Sequence, residues 1–313
     1  MAIQQQLIRS PEQFHAVDHE YGELYDAMVR RGRRAAKEGG VAVVAIARNC
    51  MPHLTNTLAL LDQVAAAVGN NIWFYAYEND STDGTIEEFT RWCGTMAFGT
   101  WVSRKVHYGD SEPRPDSRGF EKERTMALAR YRNRCLEEVR SMHRPRYTVV
   151  IDLDPHGGFS VDGLFNSIGW LGLRRFARAG GMGSLSLWAK ETDDSSNRVM
   201  FFGYDAWAAR LNWWRDRREE IGFAWFNTLV PPIGSPPIPF NSCFGGLGVY
   251  RTEAIIHGQY DGNDCEHVGL HRSMYRAGWR MHLNPGSRYI SVLPAWMTAG
   301  ASGEKSSGSG SVN

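Results

Sequence analysis

Apolar residues in the first half of the chain fall into short unbroken runs, and stretches with helical spacing separate them. Val41 to Ala47 reads VAVVAIA, a continuous valine-rich run of the kind a strand needs when both its faces are buried in a parallel sheet. Ile72 to Tyr77 (IWFYAY) and Tyr147 to Leu153 repeat the pattern, and Trp101 to His107 is a candidate for another strand. Helical spacing covers residues 54–68, Thr85 to Cys93 and Glu121 to Met142. Residues 1–38 predict a helical lead-in, closed by the breaker Gly39-Gly40. Strands alternating with helices predict an α/β domain built on a doubly wound sheet.

The second half predicts less regularity. Residues 228–240 (TLVPPIGSPPIPF) carry too many prolines for a regular element, so a loop is expected there and another over 109–119. A helix is expected from Asp264 to Ala277, closed by Gly278, with a late strand from Met281 to Leu283. The tail 296–313 is flexible by composition.

Composition narrows the classes. At 313 residues, with 42% hydrophobic and 22% charged, the chain is an ordinary globular protein with ample core. A net charge of +1 gives no general attraction to polyanions. Arg30, Arg31, Arg33, Arg34 and Lys37 form one basic cluster, read first as the solvated face of a helix. The five cysteines are scattered, with no Cys-x-x-Cys pair, which predicts neither a disulfide framework nor a cysteine zinc site. No run approaches 18 apolar residues and the first residues lack the apolar core of a signal peptide, so a cytoplasmic protein without a membrane span is expected.

Four places carry candidate chemistry. In TVVIDLD (residues 148–154) an apolar strand runs into Asp152 and Asp154, spaced i, i+2. Such side chains point the same way, and two adjacent carboxylates invite a divalent cation, with hard oxygen ligands favouring Mg²⁺ or Mn²⁺. The carboxyl edge of an open α/β sheet is also where ligands bind. Glu78 and Asp80 end the second strand, where acids can accept hydrogen bonds from ribose hydroxyls or a base edge. The following Ser81 to Thr85 is equally well read as a capped turn. The helix from 121 carries Arg124, Arg130, Arg132, Asn133 and Arg134; a diphosphate needs such donors, although only one or two can reach one site. Finally Asp264, read as an N-cap, places Glu266 and His267 in the first turn of a helix, whose dipole favours a carboxylate and a neutral, metal-ligating imidazole.

Taken in order, these pieces resemble the nucleotide-diphospho-sugar transferases of the GT-A fold. The set Glu78, Asp80, Asp83-Gly84-Thr85, Asp152-Leu153-Asp154 and an acid at a helix start is similar to the family-2-like pattern. A closer resemblance is to the fungal capsule-associated α-1,3-mannosyltransferases (glycosyltransferase family 69). It rests on Arg124, Leu128-Ala129 and Arg132-Asn133; on Tyr204-Asp205-Ala206-Trp207 with Arg210; on Ser242-Cys243-Phe244-Gly245-Gly246; on Cys265-Glu266; and on Asn284-Pro285. Phe244-Gly245 departs from the Trp-Asn of that family, and no counterpart of the fungal enzymes' membrane anchor is expected.

The resemblance implies a GT-A fold: a Rossmann-like, doubly wound mixed sheet flanked by helices. Residues 1–40 would be a helical extension, 41–155 the nucleotide-sugar-binding half, and 156–295 an irregular acceptor-binding half. It implies a metal-dependent hexosyltransferase that moves a sugar from a nucleotide-diphosphate donor to a hydroxyl acceptor, a glycan or polysaccharide. Asp152, Asp154 and His267 would hold Mn²⁺ or Mg²⁺, with His271 and His282 as alternatives to His267. Arg48, Asn49, Glu78, Asp80, Arg124, Arg132, Asn133 and Asp152 would bind the donor. Glu266 and Asp205 would be catalytic. Whether the chemistry inverts or retains stays open. Two rivals remain: a glycosyltransferase acting on hydroxymethylated DNA bases, served by the Arg30–Lys37 cluster, and a non-catalytic carbohydrate-binding protein on the same scaffold. Of the tryptophans crowding the second half, most are expected to be core and a few to stack on sugars or bases.

Overall fold

The computed structural model describes residues 8–69, 71–95, 103–108, 122–142, 145–191, 199–213, 224–294 and 297. The expected loop at 109–119, Trp214 and the tail from 298 lie outside them. The parallel strands are β1 (Val41–Ala47), β2 (Ile72–Glu78), β3 (Ser103–Tyr108) and β4 (Tyr147–Asp152), joined through α2 (His53–Val68), α3 (Thr85–Gly94) and α4 (Lys122–Ser141). The helix α1 (Gly22–Gly39) precedes β1, and α5 (Val161–Leu171) follows β4.

The later strands are β5 (Ala179–Glu191), β6 (Val199–Gly203), β7 (Ile238–Phe240), β8 (Leu247–Arg251) and β9 (Arg280–Val292), with α6 (Glu266–Arg276) before the last. Spatial order is β3-β2-β1-β4-β8-β5-β9-β7, with β6 paired to β5. The sheet is mixed: β8 runs antiparallel to β4 and β5, while β9 runs parallel to β5. The fold is therefore a Rossmann-like, doubly wound α/β sheet flanked by helices, with an irregular C-terminal region.

Why β1 lacks alternation is visible in its packing. Val41, Val43, Ala45 and Ala47 enter the core shared with α1, α2, α3 and α5, while Ala42 and Val44 enter the opposite core with α4 and α6. Each fully buried valine or leucine in these layers contributes about 2 kcal/mol. One helix contact depends on missing side chains: a Cβ at Gly32 of α1 would lie 1.7 Å from the Phe165 carbonyl oxygen of α5. One at Gly169 of α5 would meet the Met28 carbonyl at 2.1 Å. The N-terminal helix is thus seated directly on the sheet-covering layer.

Two departures concern proline. Ile238–Phe240, inside the stretch expected to be loop, is a strand pairing with β9. It lies at the sheet's edge, where a proline need not donate to a neighbour. The late strand extends well past Leu283, because Pro285 to Ser287 are bulged out: Ser184 pairs with Asn284 and Leu185 with Arg288. Buried Asn284 pins the bulge, donating to Asn166 Oδ1 at 3.0 Å and Ser167 Oγ at 2.8 Å and accepting from Gly286 N.

From β1 the chain winds outward through β2 and β3, then returns to β4 on the other side of β1. The segments leaving β1 and β4 therefore diverge, and a crevice opens between their carboxyl ends. Ligands bind at this switch point in doubly wound sheets.

Candidate active site

A pocket of about 430 Å³ occupies that crevice. Its size and mixed lining are those of a small-molecule site. Asp152 and Asp154 both line it, so the two acids of the strand end share one cleft. Asp152 is half-buried, and Asp154 is exposed to the cleft. Although its surface faces the cleft, desolvation by the surrounding walls, and after it the charge of Asp152, push the Asp154 carboxyl up to about 6. A divalent cation fits this pair: crowded hard-oxygen ligands disfavour their own ionisation until positive charge arrives. Tyr289 donates to the Asp152 carbonyl at 3.2 Å and fixes the strand end from β9.

Among the described residues, no three His, Cys, Asp or Glu side chains gather at metal-ligand spacing. His267 lines the pocket but does not complete a preformed trio with the two aspartates. Its ring lies flat on Phe244, with centroids 3.5 Å apart, and edge-on to Tyr260. Burial, then the charges of Arg132 and His271, hold the imidazole well below its ordinary pKa, and both its nitrogens are buried without hydrogen bonds. The alternatives are employed elsewhere. His271 shares hydrogen bonds with Ser242 Oγ at 2.8 Å and Tyr250 OH at 2.9 Å, and His282 packs edge-on to Phe176.

Helix α4 presents Arg124, Leu128, Tyr131 and Arg132 to the pocket. These positions fall on one helical face, whereas Arg130 and Arg134 are exposed. Arg132 is 5% exposed; its Nη2 donates to Asp152 Oδ1 at 2.8 Å and its Nε to Glu266 Oε1 at 2.9 Å. Burial alone would lower its pKa, but the two carboxylates outweigh that and hold it above its ordinary value. The guanidinium of Arg124 lies 5.9 Å from the Trp207 ring centroid. Asn133 is turned away from the pocket: its amide donates to the Tyr260 carbonyl and accepts from the Tyr260 N–H, tying α4 to the loop before α6.

The ends of β1 and β2 redistribute the expected donor contacts. Arg48 lines the pocket and keeps a buried Nε without a hydrogen bond. Asn49 does not line it; its Oδ1 accepts from Thr82 N at 2.8 Å and its own N–H donates to Ser81 Oγ, joining the two loops. Glu78 points back to accept from Ser81 N at 2.8 Å, and Asp80 is likewise not a wall of the pocket. Between them stands Asn79, not among the expected donor contacts: 3% exposed, pocket-lining, and with neither amide atom hydrogen-bonded. An amide buried without partners costs free energy unless something arrives to pair with it. Asn49, Asp80 and Asp205 are the described non-glycine residues with left-handed backbone (φ 51°, 56° and 64°), and all three sit beside this cleft's loops.

Asp205 and Glu266 face the same pocket from the C-terminal half. Asp205 Oδ2 accepts from Gly245 N at 3.0 Å. Burial, with the charges of Asp152 and Glu266 adding to it against the Gly245 hydrogen bond, pushes this carboxyl up to about 7. Glu266 is 3% exposed and its Oε1 is taken by Arg132. Cys265, not Asp264, is the N-cap of α6; Asp264 instead pairs with buried Arg210 at 3.0 Å. Tyr204, from the segment that also carries Asp205, completes this wall with Ser186 of β5 and Ser291 of β9, two serines that no motif in the local sequence announced.

The basic cluster of α1 is partly spent within the fold, Arg31 on the Gly172 carbonyl and Arg33 on Asp162. This leaves the DNA-base acceptor without structural support. No described helix is long and apolar enough to cross a membrane.

No family model and no curated protein matches the chain. Solved structures with a similar chain path include a mannosyltransferase from Pyrobaculum calidifontis with GDP-Man and Mn²⁺, at TM-score 0.47 and 14% identity over 88% of this chain and 66% of that one. GalNAc-T7 with UDP, GalNAc and Mn²⁺ is similar at TM-score 0.48 and 11% identity, over 89% of this chain and 53% of that one. S. aureus TarS 1-349 is similar at 0.45 and 10%, over 81% and 60%. The chain thus spans about half to two thirds of these proteins, and at such distance no substrate or residue role transfers from them.

Proposed function

We propose that the protein is a metal-dependent glycosyltransferase of the GT-A type, moving a sugar from a nucleotide-diphosphate donor to a hydroxyl of a glycan acceptor. One observation carries the reading: Asp152 and Asp154 meet at the switch-point crevice, in a pocket that also holds three arginines, an unpaired amide and a second pair of acids. In this reading Asp152 and Asp154 would hold Mn²⁺ or Mg²⁺, and the chemistry such an ion would supply there is Lewis-acid stabilisation of a leaving diphosphate. Arg124 and Arg48 offset the remaining phosphate charge. Asn79 pairs with the nucleoside, taking the part first expected of Glu78 and Asp80. Asp205, fixed by the Gly245 N–H and poised near neutrality, holds the acceptor hydroxyl and takes its proton. Glu266, anchored by Arg132, places negative charge close to the sugar carbon where positive charge builds.

The test is a thermal-shift panel of nucleotide sugars with and without Mn²⁺, followed by donor hydrolysis with the binder found. A donor with Mn²⁺ raises the melting temperature by mass action, and Asp154→Ala abolishes the rise. If no nucleoside diphosphate sugar shifts the wild-type protein, the reading is wrong.

A further inference from the structure

Arg132 holds the two halves of the site together through a single buried guanidinium. One edge is bonded to Asp152 at the end of β4, another to Glu266 at the start of α6, and its flat face lies 5.3 Å from the Phe244 ring centroid. Its third nitrogen, Nη1, is buried without a hydrogen-bond partner, although Arg132 lines the pocket. A guanidinium with five donors rarely leaves one unmet in a buried position unless another acceptor visits. Asp152 is meanwhile already partnered: one of its two oxygens is bonded to a positive charge at 2.8 Å.

We propose that Arg132 is an internal counter-ion that makes cation binding at Asp152 conditional on the donor. The inference rests on the cation reading of Asp152 and Asp154. A divalent ion entering the pocket meets a positive charge fixed at 2.8 Å from one oxygen of its ligand, on a guanidinium that is itself buried and so only partly screened. It therefore binds weakly alone. A nucleoside diphosphate brings the negative charge that both positive centres need, and Nη1 of Arg132 is the donor left over to meet a phosphate oxygen. Arg132 is thus a positioning residue with a second duty, keeping the acids quiet until a donor is present.

Mn²⁺ binding to the full-length protein, measured by electron paramagnetic resonance of free Mn²⁺ and by calorimetry without nucleotide, tests this. Arg132→Met should bind Mn²⁺ alone at least tenfold more tightly than wild type, and added UDP or GDP should tighten it less than it tightens wild type. Arg132→Lys, which keeps the charge, should stay close to wild type. Should Arg132→Met fail to fold, Arg132→Gln drops the charge but keeps an N–H for Asp152, and should show the same tightening. Unchanged or weaker Mn²⁺ binding in a folded, charge-free variant overturns the proposal, while wild-type binding of Mn²⁺ with nucleotide would leave the glycosyltransferase reading standing. If neither Mn²⁺ nor nucleotide binds the wild type, both fall.

Discussion

Replacing Asp154 by Asn should stabilise the metal-free protein at neutral pH, because this acid is kept where its ionised form is unwelcome. Its carboxyl rises from 3.8 to about 6, chiefly by burial and then by the charge of Asp152. At about 1.4 kcal/mol per pH unit that is about 3 kcal/mol against the ionised form. More than a third of Asp154 is open to the cleft, so screening by water reduces the figure to about 1 kcal/mol. The unfolded chain loses this proton near 3.8 and the folded one near 6, so stability falls as pH rises through that window and stays lower above it. The gain from Asp154→Asn is therefore about 1 kcal/mol at pH 7.5 and nothing below pH 4. Urea midpoints at the two pH values, with chelator present, measure it. A variant equally or less stable than wild type at pH 7.5 would show that the ionised Asp154 is not disfavoured in the folded protein, and the case for a cation would lose that support.

Three further outcomes follow from the same geometry. Asp264→Ala leaves the guanidinium of Arg210, 1% exposed, without its carboxylate and should cost about 3–5 kcal/mol in urea unfolding; a loss under 1 kcal/mol would mean the pair carries no weight. His271 is held neutral by burial, with a pKa near 3 in place of 6.5, so the stability it contributes is complete above 6.5 and lost as pH falls toward 3. His271→Gln should flatten that acid loss between pH 7.5 and 5, and since the opposing slopes of Asp154 and Asp205 are common to both proteins, an unchanged difference would refute the assignment. Asn79→Ala removes a buried amide with no partner, so it should leave the free protein's melting temperature unchanged or higher while weakening nucleotide binding tenfold or more; equal binding by calorimetry would place the nucleoside elsewhere.

The parallel half of the sheet was legible because strands buried on both faces leave unbroken apolar runs. The later, mixed half was less so, with only Met281 to Leu283 expected as a strand. Gly180, Gly181 and Gly183 in β5 weaken any strand signal, and they are there because Trp279, Tyr250 and Cys243 respectively crowd against the backbone. Ile238–Phe240 and the bulge at Pro285 escaped notice because proline is permitted at an edge and in a bulge, and edges exist only once the sheet is assembled. Asn133 carried the residue type of a donor ligand, and only its place on α4 opposite Tyr260 assigned the amide to the backbone there.

What the sequence determined by itself is local: an apolar run delivering Asp152 and Asp154 to a strand end, and a helix with arginines at several turns. A period of two or of 3.6 residues fixes which side chains share a face, and needs no knowledge of what the face meets. Tertiary structure alone decided that Asp152, Arg132 and Glu266, from β4, α4 and α6, form one chain of charges. It also decided that Asn79 and not Glu78 faces the pocket. Those choices depend on close packing between elements far apart in sequence, and the free energy of pairing or orphaning a buried polar group is settled only when its neighbours are in place.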